Sequence, residues 1–266
     1  MIRLKNLVFS YSPQTPPLLK GLTLTIENSS WVVVTGPDGS GKTTLAKVIS
    51  GLLKPDSGSI EFSPPHNPNS VIASYLGGDP YDSLIGTSIE EDIVFGLENM
   101  RLSPSEIKTR LKKALEWTGL VGMERRLIHT LSGGEQQKVA LAATLAMGCR
   151  VVVIDEGLNM MDRPTRLSIR SLLNSLQKSP GLTVIEVTHN LQDALAANRM
   201  LFLSEGRIMF DGEAAVFFRS EEGKRWASLV GGLAGLRSAL VDKRLVSVYY
   251  DDNPELYSHL LTMTGK

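Results

Sequence analysis

The most constraining feature of this 266-residue chain is a short apolar run, Trp31-Val32-Val33-Val34, that leads within two residues into Gly36-Pro37-Asp38-Gly39-Ser40-Gly41-Lys42-Thr43. A continuous apolar run without polar alternation is the pattern of a strand buried on both faces. Beyond Lys42, the residues Leu45, Val48, Ile49, Leu52 and Leu53 recur at helical spacing, and Pro55 followed by Gly58 ends the pattern. The expected order is strand, glycine-rich turn, helix. Gly-x4-Gly-Lys-Thr in that setting is a phosphate-binding pattern. Gly36, Gly39 and Gly41 let successive backbone N–H groups turn inward on an anion, and the helix start adds its positive dipole end. Lys42 would reach the outer phosphates and the Thr43 hydroxyl would ligate magnesium, with Asp38, Ser40 and Thr44 completing the candidate site.

A second buried strand, Val151 to Ile154, delivers the acidic pair Asp155-Glu156 at its C-terminal end, where open α/β sheets place their ligands. Such a pair can simply cap the next turn. Beside a phosphate loop, however, Asp155 suits a second magnesium contact and Glu156 suits a base that takes a proton from an attacking water. Another buried strand is expected at Leu182 to Val187, after a helix-like stretch from Pro164 to Gln177, and that alternation implies βαβ units with a parallel sheet. Near the start, Ile2 to Phe9 and Leu22-Leu24-Ile26 alternate with period two and read as antiparallel strands. Ser63 to Asn69, with three prolines in seven residues, reads as a loop between two strands of that antiparallel part. Ser103-Pro104-Ser105-Glu106 is a helix start with Gly119 as its stop, and residues 80 to 147 look mostly helical. Met200 to Phe210 has a hairpin pattern around Glu205-Gly206; beyond Glu213 the pattern is helical.

Leu131-Ser132-Gly133-Gly134-Glu135 precedes a helix that buries Val139, Ala142, Ala143 and Ala146. Two glycines ahead of a helix N-terminus form a second anion-binding geometry, although Ser-Gly-Gly is also an ordinary cap.

Composition narrows the classes. Lys plus Arg and Asp plus Glu are each 28, so the formal charge is zero, which disfavours a dedicated nucleic-acid binder relying on phosphate neutralisation. The single cysteine, Cys149, cannot form an intrachain disulfide, and Met1 leads into Ile2-Arg3-Leu4-Lys5 without a signal-peptide pattern, so a cytosolic location is expected. Leu229 to Val241 is too short to span a bilayer and contains Arg237, so any membrane role would run through a partner.

The order and spacing of GPDGSGKTT at 36–44, LSGGE at 131–135, VVVIDE at 151–156 and Thr188-His189 after the strand at 182–187 resemble the ATP-binding-cassette ATPase family, over about residues 1 to 220. Within it, Glu90 to Asn99 resembles the helical-subdomain stretch of energy-coupling-factor transporter ATPases and their cobalt and nickel relatives. The resemblance implies an α/β fold: a P-loop core with a parallel sheet, an N-terminal antiparallel subdomain, a helical signature subdomain at about 80–147, and a short helical C-terminal extension at 221–266. It implies ATP and Mg2+ as ligands and ATP hydrolysis as the activity. Tyr11 matches the aromatic that stacks on adenine, the lesser alternative being local packing at a strand end. His189 matches the switch histidine that contacts the γ-phosphate and helps hold the attacking water. Asp162 matches the aspartate of the loop that communicates between paired sites, and Ser132, Gly133, Gly134 and Glu135 match the signature that embraces ATP held by the opposite subunit. The implied partners are a second ATPase subunit, a membrane-embedded coupling subunit and a substrate-binding membrane subunit, at the cytoplasmic face of the membrane.

The chain also departs from the family pattern. Gly78, in Leu76-Gly77-Gly78, stands where the family has a glutamine that touches magnesium and the membrane partner. Gly157-Leu158 replaces a proline and threonine, and the next loop reads Asn159-Met160-Met161-Asp162, with methionines that serve as packing or as a flexible interface. Glu135 stands for the commoner glutamine. Glu156 and His189 suggest an equipped hydrolytic site, whereas Gly78 suggests unequal coupling, as in one half of a heterodimer. The expected function is ATP hydrolysis driving uptake of a vitamin or transition-metal ion. The competing readings are a non-transport cassette ATPase acting on nucleic acid or ribosomes, a P-loop kinase, which has no use for LSGGE, and a nucleotide sensor, which Glu156 and His189 discourage.

Overall fold

The computed structural model describes residues 1–64, 71–179 and 181–230. It opens with antiparallel strands β1 (Ile2–Phe9) and β2 (Leu19–Ile26), which pair Ile2 with Ile26 and Leu4 with Leu24. Strand β3 (Trp31–Thr35) leads to helix α1 (Lys42–Ile49), and β4 (Ser57–Phe62) returns to the far edge of β1. These make a three-stranded sheet in the order β2-β1-β4.

Strand β5 (Ala73–Leu76) begins the second sheet and is followed by helices α2 (Ile89–Asn99), α3 (Pro104–Thr118) and α4 (Gly133–Ala146). Then come β6 (Val151–Asp155), α5 (Arg163–Lys178), β7 (Thr183–Val187), α6 (Leu191–Ala196), the hairpin strands β8 (Arg199–Ser204) and β9 (Arg207–Gly212), α7 (Ala214–Arg219) and α8 (Glu221–Val230). The second sheet runs β5-β6-β7-β3-β8-β9, parallel except for the antiparallel β9. β3 therefore sits at its centre, which explains why Trp31 to Val34 carry no polar alternation.

Successive residues of the central strands serve two different cores. Val32, Val34, Val151 and Val153 pack with α1 and the N-terminal sheet, while Trp31, Val33, Val152 and Ile154 pack with α4, α5 and the C-terminal helices. A third core joins α2, α3 and α4 through Ile93, Leu97, Leu115, Val139 and Ala142. Helix α4 is buried almost all round because Ala140, Leu141 and Leu145 belong to the sheet core on its other side.

Three local expectations need correction. Helix α1 stops at Ile49 rather than running to Leu53: Gly51 takes φ +80°, and the Leu52 N–H bonds back to Lys47 O at 2.9 Å. This is a left-handed glycine closure that leaves Leu52 exposed. The proline-rich segment joins β4 of the antiparallel sheet to β5 of the parallel sheet, not two strands of one sheet; residues 65–70 lie outside the described residues. Gly133 and Gly134 form the first turn of α4 instead of preceding it, because Ser132 is its N-cap. The expected α3 start is present, with Ser103 and Glu106 forming a reciprocal capping box and Gly119 left-handed at the end. Of the C-terminal extension, 221–230 is the helix α8, and 231–266 lies outside the described residues.

Behind the end of β7 lies a buried charged cluster. Glu186 accepts from Trp31 Nε1 at 2.9 Å and pairs with Arg170, which also meets Asp193 at 3.2 Å. Burial pushes the carboxyls of Glu186 and Asp193 up, against the opposing pull of the Arg170 guanidinium.

Candidate nucleotide site

Backbone shape makes the first half of the site. Gly36 has φ +144°, and a Cβ on it would lie 1.9 Å from the Leu203 carbonyl oxygen. The loop can pass under β8 only as glycine. Gly39 and Gly41 are also left-handed, and Gly41 is the N-cap of α1, offering no side chain to the first-turn N–H groups. They are thereby left for an anion. Gly36→Ala is expected to shift β8 or the loop, destabilise the fold by about 1–3 kcal/mol or more and abolish nucleotide binding, as read by thermal melting and calorimetric titration with ATP. Wild-type affinity in that variant would refute this account of the loop.

Lys42, 6% exposed, folds its ammonium back onto the Pro37 and Gly36 carbonyl oxygens at 2.8 and 2.9 Å. Burial lowers its pKa, while Asp38, Glu156 and Asp155, largest first, oppose the shift. One lysine thus feels all three carboxylates of the site. Ser40 Oγ is buried without a partner, a donor facing no acceptor of the protein. Thr43 is exposed, whereas Thr44 is buried and its hydroxyl lies 3.0 Å from Tyr11 Oη. Tyr11 is 64% exposed and meets Phe9 edge-on at 5.1 Å, so an open ring face stands beside the loop.

The second half comes from neighbouring strands. Asp155 ends β6 and accepts from the Tyr75 hydroxyl at 2.8 Å. Glu156 follows with φ +56°, a strained conformation for a non-glycine residue, and its N–H is held by Val187 O at 3.0 Å. His189, just past β7, places Nε2 3.0 Å from Glu156 Oε1 and 3.4 Å from Asp38 Oδ1. The sheet order sets β7 between β6 and β3, so the loop, the acidic pair and the histidine meet at one edge. A carboxylate in contact with an imidazole beside a phosphate cradle can polarise a water aimed at a phosphoryl group.

Gly78 lies against this strand end; a Cβ there would be 3.4 Å from Asp155 O and 3.6 Å from Glu156 Cβ. Its missing side chain therefore borders the acidic pair. The glycine that follows the acidic pair, Gly157, packs on Leu76 and on Gln137 of α4, and Gln137 donates to Gly77 O at 2.8 Å. The helical layer is thus tied to the strand ends that carry the acidic residues.

Ser132, Gly133, Gly134 and Glu135 form a separate cluster. Ser132 donates from N–H and hydroxyl to Glu135 Oε2 at 2.8 and 2.9 Å, its oxygen accepts the Glu135 N–H, and Arg126 holds Oε1 at 2.9 Å. The Ser132 bonds, then Arg126, keep the Glu135 carboxyl below its usual range. Positions for a Cβ on Gly133 and on Gly134 lie 3.3 Å from Met160 atoms, so the loop leading to Asp162 sits directly on this helix tip. Asp162 itself caps α5, accepting from Thr165 N at 2.8 Å; that residue lowers its pKa.

Sequence reasoning missed Tyr75, Gln137 and Arg126. No local signal marks Tyr75: it reaches Asp155 because β5 pairs it with Val153, which sets its ring diagonally next to Asp155 on one face of the sheet.

A glycine loop wrapping a buried lysine at the end of a central parallel strand, facing an acidic pair and a histidine, defines the class of P-loop ATPases. The model of the family described as ABC transporter matches residues 19–159. The energy-coupling factor transporter ATP-binding protein EcfA1 of Ligilactobacillus salivarius is 36% identical over 232 residues, covering 84% of this chain and 81% of that protein. EcfA of Syntrophomonas wolfei is 35% identical, covering 78% and 79%. The structure of cbiO1 from Clostridium perfringens, part of the ABC transporter complex cbiONQ, superposes with TM-score 0.72 at 29% identity over 89% of this chain and 98% of that one. A dimeric post-hydrolysis state of the cassette MJ0796 bound to ADP and Pi gives TM-score 0.71 at 26% identity, covering 80% and 98%. The chain belongs to the ABC transporter family and is an ATP-binding ATPase of it.

Proposed function

We propose that the chain is the ATP-hydrolysing subunit of an energy-coupling-factor importer, working on membrane subunits to take up a vitamin or transition-metal ion. The observation that carries the hydrolytic part is the Glu156–His189 contact of 3.0 Å beside the Lys42 loop. Glu156 takes the proton of the attacking water, His189 fixes that water and the γ-phosphate, and Lys42, Ser40 and the loop N–H groups hold the triphosphate, with Tyr11 against the adenine.

Among the described residues no cluster of three or more His, Cys, Asp or Glu side chains could hold a metal alone. That suits Mg2+, which keeps waters and takes phosphate oxygens, leaving Thr43 and Asp155 as its protein ligands. Bound there with ATP, it would neutralise charge on the phosphates. Asp155, oriented by the Tyr75 hydroxyl, is held ready for that contact.

Ser132, Gly133, Gly134 and Glu135 would close on ATP held by a second ATPase subunit, with Asp162 carrying the state of one site to the other. Gly78 favours a heterodimer in which this subunit couples differently from its mate. The relatives' name motivates the transporter assignment, and no helix among the described residues is long and apolar enough to cross a membrane, so the membrane steps fall to other chains. In this reading residues 1–220 are the cassette, 221–266 an extension, and the complex sits peripherally on the cytoplasmic face.

Purifying the tagged chain from native membranes in mild detergent is expected to recover a second ATPase subunit and at least one integral membrane protein, with ATP turnover highest in that complex. Full activity of the chain alone, as a homodimer with no membrane partner, would refute the importer assignment and its asymmetry.

A further inference from the structure

The polar partners of His189 are solvent-accessible: the side chain of Asp38 is 97% exposed and that of Glu156 is 40% exposed. Contacts of this kind hold a geometry weakly. The backbone around the histidine is firmer. Thr188 Oγ1 accepts the Asn190 N–H at 3.0 Å, and Asn190 caps α6 by accepting the Gln192 N–H at 2.9 Å. The freedom left is that of the imidazole itself.

Among the described residues its one aromatic neighbour comes from far along the chain. Trp226 of α8 lies with its ring centroid 6.1 Å from that of His189, inclined by 45°. The indole is 6% exposed and is wedged by Phe202 of β8 at 5.6 Å, edge to face; Phe202 in turn stacks on Phe217 of α7 at 4.6 Å. Trp226 Nε1 is buried and makes no hydrogen bond. An unmade bond is a loss that phenylalanine would avoid, so what the indole contributes is its breadth, which carries the packed aromatic layer out to the imidazole.

We propose that Trp226 is a positioning residue for hydrolysis: α8 braces the His189 ring so that Nε2 stays against Glu156, and displacement of α8 frees the histidine. This makes the first helix of the C-terminal extension part of the hydrolytic switch. The inference rests on the reading of Glu156 and His189 as the hydrolytic pair.

The test uses the full chain, purified with its membrane partners. Trp226→Ala is expected to lower kcat about tenfold or more while leaving KM for ATP within about twofold, because the lost element orients a group and does not bind nucleotide. Trp226→Phe, which keeps an aromatic ring but not the breadth of the indole, should recover only part of the loss. Ala227→Gly, buried on the same helix, should lower Tm while retaining kcat, since it weakens α8 and keeps the indole. His189→Ala should change tryptophan emission, a signature that does not depend on the stability of any Trp226 variant. Unchanged kcat in Trp226→Ala, an equal kcat loss in Ala227→Gly at equal loss of Tm, or identical emission in His189→Ala would each overturn the bracing role. The two readings separate cleanly. Retained turnover in His189→Ala removes the hydrolytic pair itself, whereas lost turnover there beside normal turnover in Trp226→Ala removes only the brace.

Discussion

Replacing Glu156 by glutamine is expected to lower ATP turnover by about 100- to 10,000-fold, the range over which a positioned general base contributes. Glutamine preserves volume and can still bond to His189, so the 3.0 Å contact with Nε2 need not be lost. What disappears is the lone pair that accepts a proton at neutral pH, together with one negative charge near Lys42. ATP affinity should therefore hold or rise. With hydrolysis blocked, the ATP-bound closed pair should accumulate, visible as a shift to dimer in size-exclusion chromatography with ATP and Mg2+. Turnover within a few-fold of wild type would take Glu156 out of the base role and return it to the alternative of a strand-end cap.

Lys42→Ala tests the opposite end of the same site. The ammonium is buried and rests on the Gly36 and Pro37 carbonyls at 2.9 and 2.8 Å, so the wild-type loop already holds it in place. Each charge-assisted bond to phosphate is worth about 1.5–3 kcal/mol, so ATP affinity should fall about 10- to 100-fold or more, with turnover falling further. The fold should survive: removing a buried cation also removes its desolvation cost, which is what lowers its pKa. Calorimetric titration with ATP and a thermal melt without nucleotide separate the two effects. A lysine needed only for the loop's shape would show a large loss of Tm and an ATP affinity that recovers on cooling.

These variants differ in what they ask of the molecule. The role proposed for Lys42 rests on a contiguous loop and on local backbone geometry. The role proposed for Glu156 depends on His189, 33 residues further on, and on a sheet order that sets β6, β7 and β3 side by side. Its positive φ is tolerated because Val187 O captures its N–H from the neighbouring strand. The chemistry of the carboxylate was visible in Val151 to Glu156, but its aim was not.

The same distinction runs through the whole chain. Ser103 and Glu106 announced a helix start correctly because a capping box closes within four residues and needs no distant partner. Leu52 and Leu53 misled because helical spacing does not reveal where a glycine will turn left-handed and close the helix. The proline-rich segment was misplaced because a loop's composition says nothing about which sheet receives its far end.

By itself the sequence determined the alternation of strands and helices, the glycine-rich loop, the acidic pair and the Ser-Gly-Gly helix start, all features whose physics is settled within a few neighbouring residues. Only the tertiary structure decided that Tyr75 reaches Asp155, that Met160 covers the signature glycines, that Gly78 borders the acidic strand end and that Trp226 meets His189. The reason is that these contacts join residues remote along the chain. Whether they meet depends on strand order, register and the close packing of layers, none of which any single segment encodes.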